Sequence, residues 1–177
     1  KYSGTVVGND DCLYGIPEDA TRIVKYNPAD PDTTSTVGKE VEGGFCCSGN
    51  GVLSGDGYIY AANGAGQVLK VDTVNNNCTW IGDPIYLRHG WGWGNPIVGV
   101  DKCIYWPPLY ANRVLKFDPG TQQLPSLVGD DLGEGEGKWR SGTLAATAGR
   151  IYCIPYSSTT QILVIDPFKE LSMTLQN

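Results

Sequence analysis

The sequence predicts an all-β chain folded as a four-bladed β-propeller. Three observations lead to this prediction. One pattern of residue types occurs four times in the 177 residues, and apolar and polar residues alternate within each copy as they do in β-strands. The 24 glycines and 11 prolines also interrupt the chain too often for the long runs of 3.6-residue periodicity that helical repeats need.

The four copies are anchored on Tyr14, Tyr60, Tyr105 and Tyr152, which are 46, 45 and 47 residues apart. Three residues later come Pro17, Asn63, Pro108 and Pro155. Each copy then continues with an alternating run: RIVKYNP, QVLKVDT, RVLKFDP or QILVIDP. A period near 45 residues is typical of propeller blades.

The third copy illustrates the predicted strands. Residues 96–100 form an apolar inner strand, Asp101 and Lys102 a hairpin turn, and residues 103–106 the returning strand. Residues 113–117 and 124–128 supply the third and fourth strands. Four antiparallel strands in about 45 residues make one blade.

We expect a single domain over residues 1–177, either complete in itself or one unit of a longer tandem array. The predicted repeats are approximately 6–50, 51–95, 96–143 and 144–177, the last completed by residues 1–5. The opening residues KYSGTVVG resemble KWRSGTLAATAG from Lys138. They are therefore predicted to lie innermost in the fourth blade and to close the ring. The same similarity allows a second outcome, in which the equivalent strand of a next unit takes that place and links successive units into a fibre.

Charge and hydropathy exclude two partners. A net charge of −6 argues against nucleic acid, which proteins usually meet with a basic face. The sequence contains no apolar run near the roughly 20 residues needed to span a bilayer. We expect no nucleic-acid and no membrane partner.

The six cysteines are even in number and none lies in a C-x-x-C pair. This predicts disulfides in a secreted, extracellular protein, with the pairing open among Cys12, Cys46, Cys47, Cys78, Cys103 and Cys153. The sequon Asn77-Cys78-Thr79, in a polar turn at the outer edge of the second blade, predicts N-glycosylation at Asn77.

The sequence offers no convincing catalytic constellation. His89 is the single histidine and lies in a turn sequence. The repeated Asp10, Asp56 and Asp101 are better explained as hairpin-turn residues. The acidic loop with Asp130, Asp131, Glu134 and Glu136 matches no calcium motif, although a cation site there is an alternative to a solvated loop. We therefore predict no catalytic residue, cofactor or metal, and no enzyme.

Aromatic residues near the start of each inner strand support two interpretations. They either wedge one blade against the next or stack on sugars. Trp91, Trp93 and Trp139 are the candidate sugar-stacking residues.

The segment KWRSGTLAATAGRIYCIPYSSTTQILVIDP carries the repeat most clearly. It resembles the β-propeller repeats of large secreted tandem-repeat proteins of microalgae and other protists. The resemblance implies extracellular, glycosylated proteins, some of them fibre subunits, and supplies no catalytic residues.

The leading functional hypothesis is thus a non-enzymatic extracellular structural module that assembles with copies of itself into an array or fibril. A carbohydrate-binding, lectin-like propeller is the alternative. A metal-dependent propeller hydrolase is a third, weaker hypothesis.

Overall fold

The structure, a computed structural model, is an all-β four-bladed propeller made of four antiparallel four-stranded sheets. It describes residues 1–40, 47, 49–85, 91–121, 123–133, 135–169 and 174–176. The sequence prediction of the fold is confirmed. Within these ranges no helix is long and apolar enough to cross a membrane.

Each blade takes four strands that are consecutive in the chain, so neighbouring strands are joined by short turns. Blade one contains β1 (Tyr2–Val7), β2 (Leu13–Pro17), β3 (Ile23–Tyr26) and β4 (Thr34–Val37). Blade two contains β5 (Val52–Leu53), β6 (Ile59–Ala62), β7 (Val68–Asp72) and β8 (Asn77–Ile81).

The last two blades repeat this order. Blade three contains β9 (Ile97–Val98), β10 (Ile104–Trp106), β11 (Val114–Phe117) and β12 (Ser126–Val128). Blade four contains β13 (Trp139–Ala145), β14 (Arg150–Pro155), β15 (Ile162–Ile165) and β16 (Thr174–Gln176).

The turn between the first two strands of every blade has a residue with positive φ. These are Asp11 (58°), Gly57 (89°), Lys102 (66°) and Gly149 (66°). Left-handed backbone of this kind suits a tight hairpin. The predicted turn at Asp101 and Lys102 is therefore present.

One prediction about chain closure is wrong. The opening strand β1 pairs with β2 in blade one, with Thr5 opposite Gly15 and Val6 opposite Tyr14. The innermost strand of blade four is β13, so residues 1–5 do not complete that blade. Pairing through the short turn at Asp11 closes a far smaller loop than pairing with the distant fourth repeat.

The core consists of three apolar clusters, each lying between two consecutive blades. The first joins Tyr14 and Ile16 of blade one to blade two, and the second joins Tyr60 and Ala62 of blade two to blade three. The third joins Tyr105 of blade three to blade four. Blades one, two and three thus each use the face that bears the anchor tyrosine to cover the next blade, which is how a propeller buries apolar surface without one central core.

Candidate functional site

A cavity of about 240 Å³ opens at the end of the blades where the inner strands begin and the second strands end. All four repeats contribute to its wall. The lining residues are Tyr2, Ser3, Glu18, Gly49, Trp91, Asn95, Leu109, Tyr110, Arg140 and Tyr156.

Backbone hydrogen bonds to the neighbouring Gly92 help to position Trp91 at the cavity. The carbonyl oxygen of Gly92 accepts backbone hydrogen bonds from Leu109, Tyr110 and Ala111, at 2.9 to 3.0 Å. Trp91 itself is 52% exposed and meets Tyr110 edge to face, with ring centroids 6.4 Å apart. A large apolar ring is therefore presented to solvent beside a second aromatic ring.

Two opposite charges line the same cavity from different blades. The guanidinium of Arg140 lies 5.4 Å from the ring centre of Tyr156 and donates a long hydrogen bond of 3.4 Å to its hydroxyl. Glu18, which follows β2, also lines the cavity, and its backbone N–H donates to the carbonyl of Lys1 at 3.0 Å. Aromatic faces, a cation and a carboxylate together suit a small polar ligand that also has an apolar face.

The structure corrects two of the three candidate sugar-stacking residues. Trp93 and Trp139 are fully buried, and their indole N–H groups donate to the carbonyls of Arg113 at 2.9 Å and Gln161 at 2.8 Å. They are wedges between blades, so neither ring offers a face to a ligand. Trp91 is the member of this set that lines the cavity.

The cavity also contains residues that the sequence interpretation missed, namely Glu18, Tyr110, Arg140 and Tyr156. Glu18 and Tyr156 directly follow the repeated Pro17 and Pro155. One signal for these residues was present in the sequence, because the residue type after the repeated proline differs from copy to copy. Loops that carry function vary in this way on a constant scaffold.

The repeated aspartates of the hairpin turns hold the anchor tyrosines. Hydroxyls of Tyr14, Tyr60 and Tyr105 donate to Asp10, Asp56 and Asp101 at 2.8, 2.8 and 2.7 Å. Burial alone would raise the pKa of Asp10, but hydrogen bonds from Lys25 and Tyr14 outweigh it and lower that pKa to about 2. These carboxylates thus have a structural role, because each accepts a hydrogen bond from its anchor tyrosine.

The remaining candidate polar groups do not assemble into a site within the described ranges. No group of three or more metal-ligating side chains is found among the described residues. In the acidic loop, Asp131 accepts hydrogen bonds from the side chain of Asn112 at 2.7 Å and the backbone of Gly133 at 2.8 Å. His89 and Glu134 lie outside the described residues.

The predicted disulfides are not present among the described cysteines. Cys12, Cys78, Cys103 and Cys153 are free thiols, and Cys46 lies outside the described residues. Cys12 and Cys47 pack in the cluster between blades one and two, and Cys103 and Cys153 in that between blades three and four. Burial raises the pKa of both Cys103 and Cys153 to about 12, which keeps these thiols protonated and unreactive.

Asn77 begins β8, the outermost strand of blade two, and is exposed. Thr79 of the same sequon is also exposed. Glycosylation at Asn77 stays a prediction, and the position is accessible to it.

No family model matches the chain, and the search of curated proteins found no significant match. Solved structures with the same fold do match it. A catalytically inactive variant of virginiamycin B lyase from Staphylococcus aureus, solved with quinupristin, has a TM-score of 0.74 at 9% identity. The match covers 100% of this chain and 55% of the lyase.

Two further structures give the same result. A streptogramin B lyase has a TM-score of 0.68 at 15% identity, covering 99% of this chain and 53% of that one. A protein from Lactobacillus plantarum has a TM-score of 0.70 at 19% identity, covering 99% and 54%. This chain therefore spans about half the length of the propellers it matches, and at these identities the likeness establishes the fold.

The comparison overturns the prediction that the chain is no enzyme. That prediction came from the lack of a recognisable catalytic motif in the repeats. Propellers with a similar architecture include lyases. The lack of a recognisable motif in this sequence is therefore no ground for excluding an enzyme.

Proposed function

We propose that this chain is a ligand-binding propeller domain whose cavity takes a small carbohydrate. The observation that carries the proposal is the position of Trp91. Of the three candidate tryptophans, Trp93 and Trp139 are buried between blades, whereas Trp91 is exposed at the cavity beside Tyr110. Sugar rings have an apolar face that can stack on an exposed indole ring of this kind.

The other cavity residues support a polar ligand of modest size. Arg140 and Glu18, from different blades, supply a guanidinium donor and a carboxylate acceptor among the lining residues. The volume of about 240 Å³ is below the usual range for drug-sized ligands. A short saccharide, neutral or carrying a carboxylate for Arg140, meets both conditions.

The test is a glycan array followed by calorimetry, with and without calcium. Trp91→Ala should weaken binding about fivefold or more, because a stacked aromatic ring contributes on the order of 1 kcal/mol or more. Phe168→Ala is the matched control, since Phe168 is a still more exposed aromatic residue that does not line the cavity. Absence of any glycan binding, or equal binding by Trp91→Ala, would reject the proposal.

The same experiment distinguishes binding from turnover. Mass spectrometry of the bound ligand after incubation shows whether it is converted. Conversion that is lost in Glu18→Gln would place an acid–base role on that carboxylate, as proton transfer by a positioned side chain requires.

A second proposed role is structural. In this role the chain is a secreted, glycosylated unit that joins copies of itself into an array or fibril. One observation favours it: the outer faces of blades one and four carry exposed apolar residues, including Tyr2 and Ile154. The accessible sequon at Asn77 supports the extracellular setting.

Negative-stain microscopy of the native material tests the array. Regular assemblies would support it, and isolated single propellers would reject it. Intact-mass measurement of the native protein tests glycosylation separately, since a glycan at Asn77 adds mass that Asn77→Gln removes.

A further inference from the structure

Among the described residues, the guanidinium of Arg140 has no acidic partner, although it lines the cavity of an acidic protein. The sequence contains 19 acidic and 13 basic residues, so carboxylates are more numerous than cations. Arg22 has such a partner in Glu40, at 3.3 Å. Arg150 has one in Asp166, at 3.0 Å. The positive charge of Arg140 is therefore open to a ligand in the cavity.

A β-bulge sets the backbone at Arg140. In the pairing of β13 with β14, residues 140 and 141 together lie opposite the single residue 154. Residues in a bulge leave the regular ladder, and the carbonyl of Arg140 accepts a hydrogen bond from the N–H of Asn95 at 2.7 Å. A Cβ atom at Gly94 would overlap this carbonyl, so glycine is required where the two segments meet. The bulge therefore holds Arg140 against blade three at the cavity, as bulges beside binding sites often redirect a side chain.

Tyr156 orders the guanidinium of Arg140 and leaves most of its donors open. The ring centre of Tyr156 lies 5.4 Å from Arg140 Cζ, and the hydroxyl accepts a long hydrogen bond of 3.4 Å from Nη1. Within the described part of the chain, the guanidinium makes no other hydrogen bond. A guanidinium has five N–H donors in a planar fork, and two of them fit the two oxygens of a carboxylate. The fork of Arg140 is thus free to bind a carboxylate with two donors.

We propose that the cavity takes an acidic saccharide and that Arg140 binds its carboxylate. The inference rests on the proposed carbohydrate binding and names the class of sugar. Trp91 stacks on the sugar ring, and the fork of Arg140 forms two parallel hydrogen bonds with the carboxylate. A neutral sugar offers Arg140 hydroxyl oxygens alone, which form weaker hydrogen bonds than a carboxylate does. The acid group therefore decides which sugars bind.

The charge of the cavity favours a carboxylate over a phosphate group. One guanidinium balances one negative charge, whereas a phosphate monoester carries about −1.5 to −2 at neutral pH. Glu18 lines the same cavity, and its carboxylate repels the additional charge. A sugar with a single carboxylate matches these two residues better than a phosphorylated sugar does.

The test begins with a glycan array that carries each acidic glycan beside its neutral and phosphorylated counterparts. The acidic glycan that binds best is then compared by calorimetry with its methyl ester, which keeps the ring and hydroxyls and removes the charge. The wild-type protein should bind the acid about tenfold more tightly than the ester, because hydrogen bonds between charged groups are roughly twice as strong as neutral ones.

Arg140→Gln should reduce this preference to about twofold or less, because the side chain keeps N–H donors but loses the charge. Arg140→Lys should keep part of the preference, since it retains the charge without the planar fork. Arg113→Gln is the matched control. It removes the same charge from an exposed arginine that does not line the cavity, so the preference should stay as in the wild type.

The ratio of the two affinities is measured within each variant, so a general loss of stability does not produce the expected result. Equal affinity of the wild-type protein for acid and ester would overturn the inference and leave carbohydrate binding in place. A preference that survives in Arg140→Gln, or tighter binding of the phosphorylated glycans, would also overturn it. If no glycan of any kind binds, the proposed function is rejected together with this inference, so the two failures are distinguished.

Discussion

Blades two and three differ from blades one and four in how many of their faces are covered. Both faces of each interior blade lie in apolar clusters, so Tyr60, Ile104 and Leu115 are fully buried. Blades one and four have the same four strands but one open face each, with Tyr2 and Ile154 exposed. The same repeat is thus a core element or a surface element according to its neighbours.

This difference shows where the stability of the propeller resides. In a repeat architecture each unit contacts only its neighbours, so the interfaces contribute most of the apolar burial. A residue in a terminal blade contributes as much to the free energy of unfolding as its interior equivalent only when another blade covers it.

The largest expected effect comes from a pair of matched isoleucine substitutions. Ile104→Ala, between blades two and three, should lower the free energy of unfolding by about 2 to 5 kcal/mol through lost burial and a cavity. Ile154→Ala, on the open face of blade four, should change it by about 0.5 kcal/mol or less in dilute protein. Urea unfolding measures both, and equal losses would contradict the comparison.

The repeats made the fold and most of the strands predictable. Their alternation indicated the strands, and their spacing indicated the blades. The pairing of β1 was not predictable, because KYSGTVVG matches the start of the fourth copy as well as that of a first blade. The cavity was also missed except for Trp91, since Glu18, Arg140 and Tyr156 are distant in sequence and meet only when the blades are arranged around the axis.

A second comparison concerns the anchor tyrosines. In blade three the hydroxyl of Tyr105 donates to Asp101 at 2.7 Å inside a buried environment. Tyr105→Phe should cost about 1 to 3 kcal/mol, because it leaves a partly buried carboxylate short of a donor. In blade four Tyr152 is only partly buried, and Ala148 stands where the other blades have the aspartate. Tyr152→Phe should therefore lower the free energy of unfolding by less than about 1 kcal/mol. Thermal or urea unfolding of the two variants checks the difference.

The free energy of unfolding should depend on pH in the acidic range through Asp10 of blade one. The pKa of Asp10 is lowered to about 2 from an ordinary value near 3.8 because Lys25 and Tyr14 stabilise the carboxylate against the opposing effect of burial. Its stabilisation is therefore complete above about pH 4 and is lost as the pH falls towards 2. Asp10→Asn should lower stability at neutral pH and flatten the dependence between pH 4 and 2. Asp32→Asn, in an exposed loop, should leave that dependence unchanged, and an unchanged slope in Asp10→Asn would contradict this assignment.

The smallest expected effect lies in the hairpin turns. Lys102 in blade three and Gly149 in blade four share a φ of 66°. Lys102→Gly should raise the free energy of unfolding by up to about 1 kcal/mol, and Gly149→Ala should lower it by a similar amount. Opposite signs in urea unfolding would confirm that the two turns have the same conformation, whereas the same sign would contradict it.

Hydrogen exchange of the wild-type chain tests the central claim most directly, namely that apolar contacts on both faces make the interior blades more stable than the terminal blades. The amides of β2 and β14 should exchange faster than those of β6 and β10, because a blade that is covered on one face opens more readily. Equal protection of all four strands would contradict the claim.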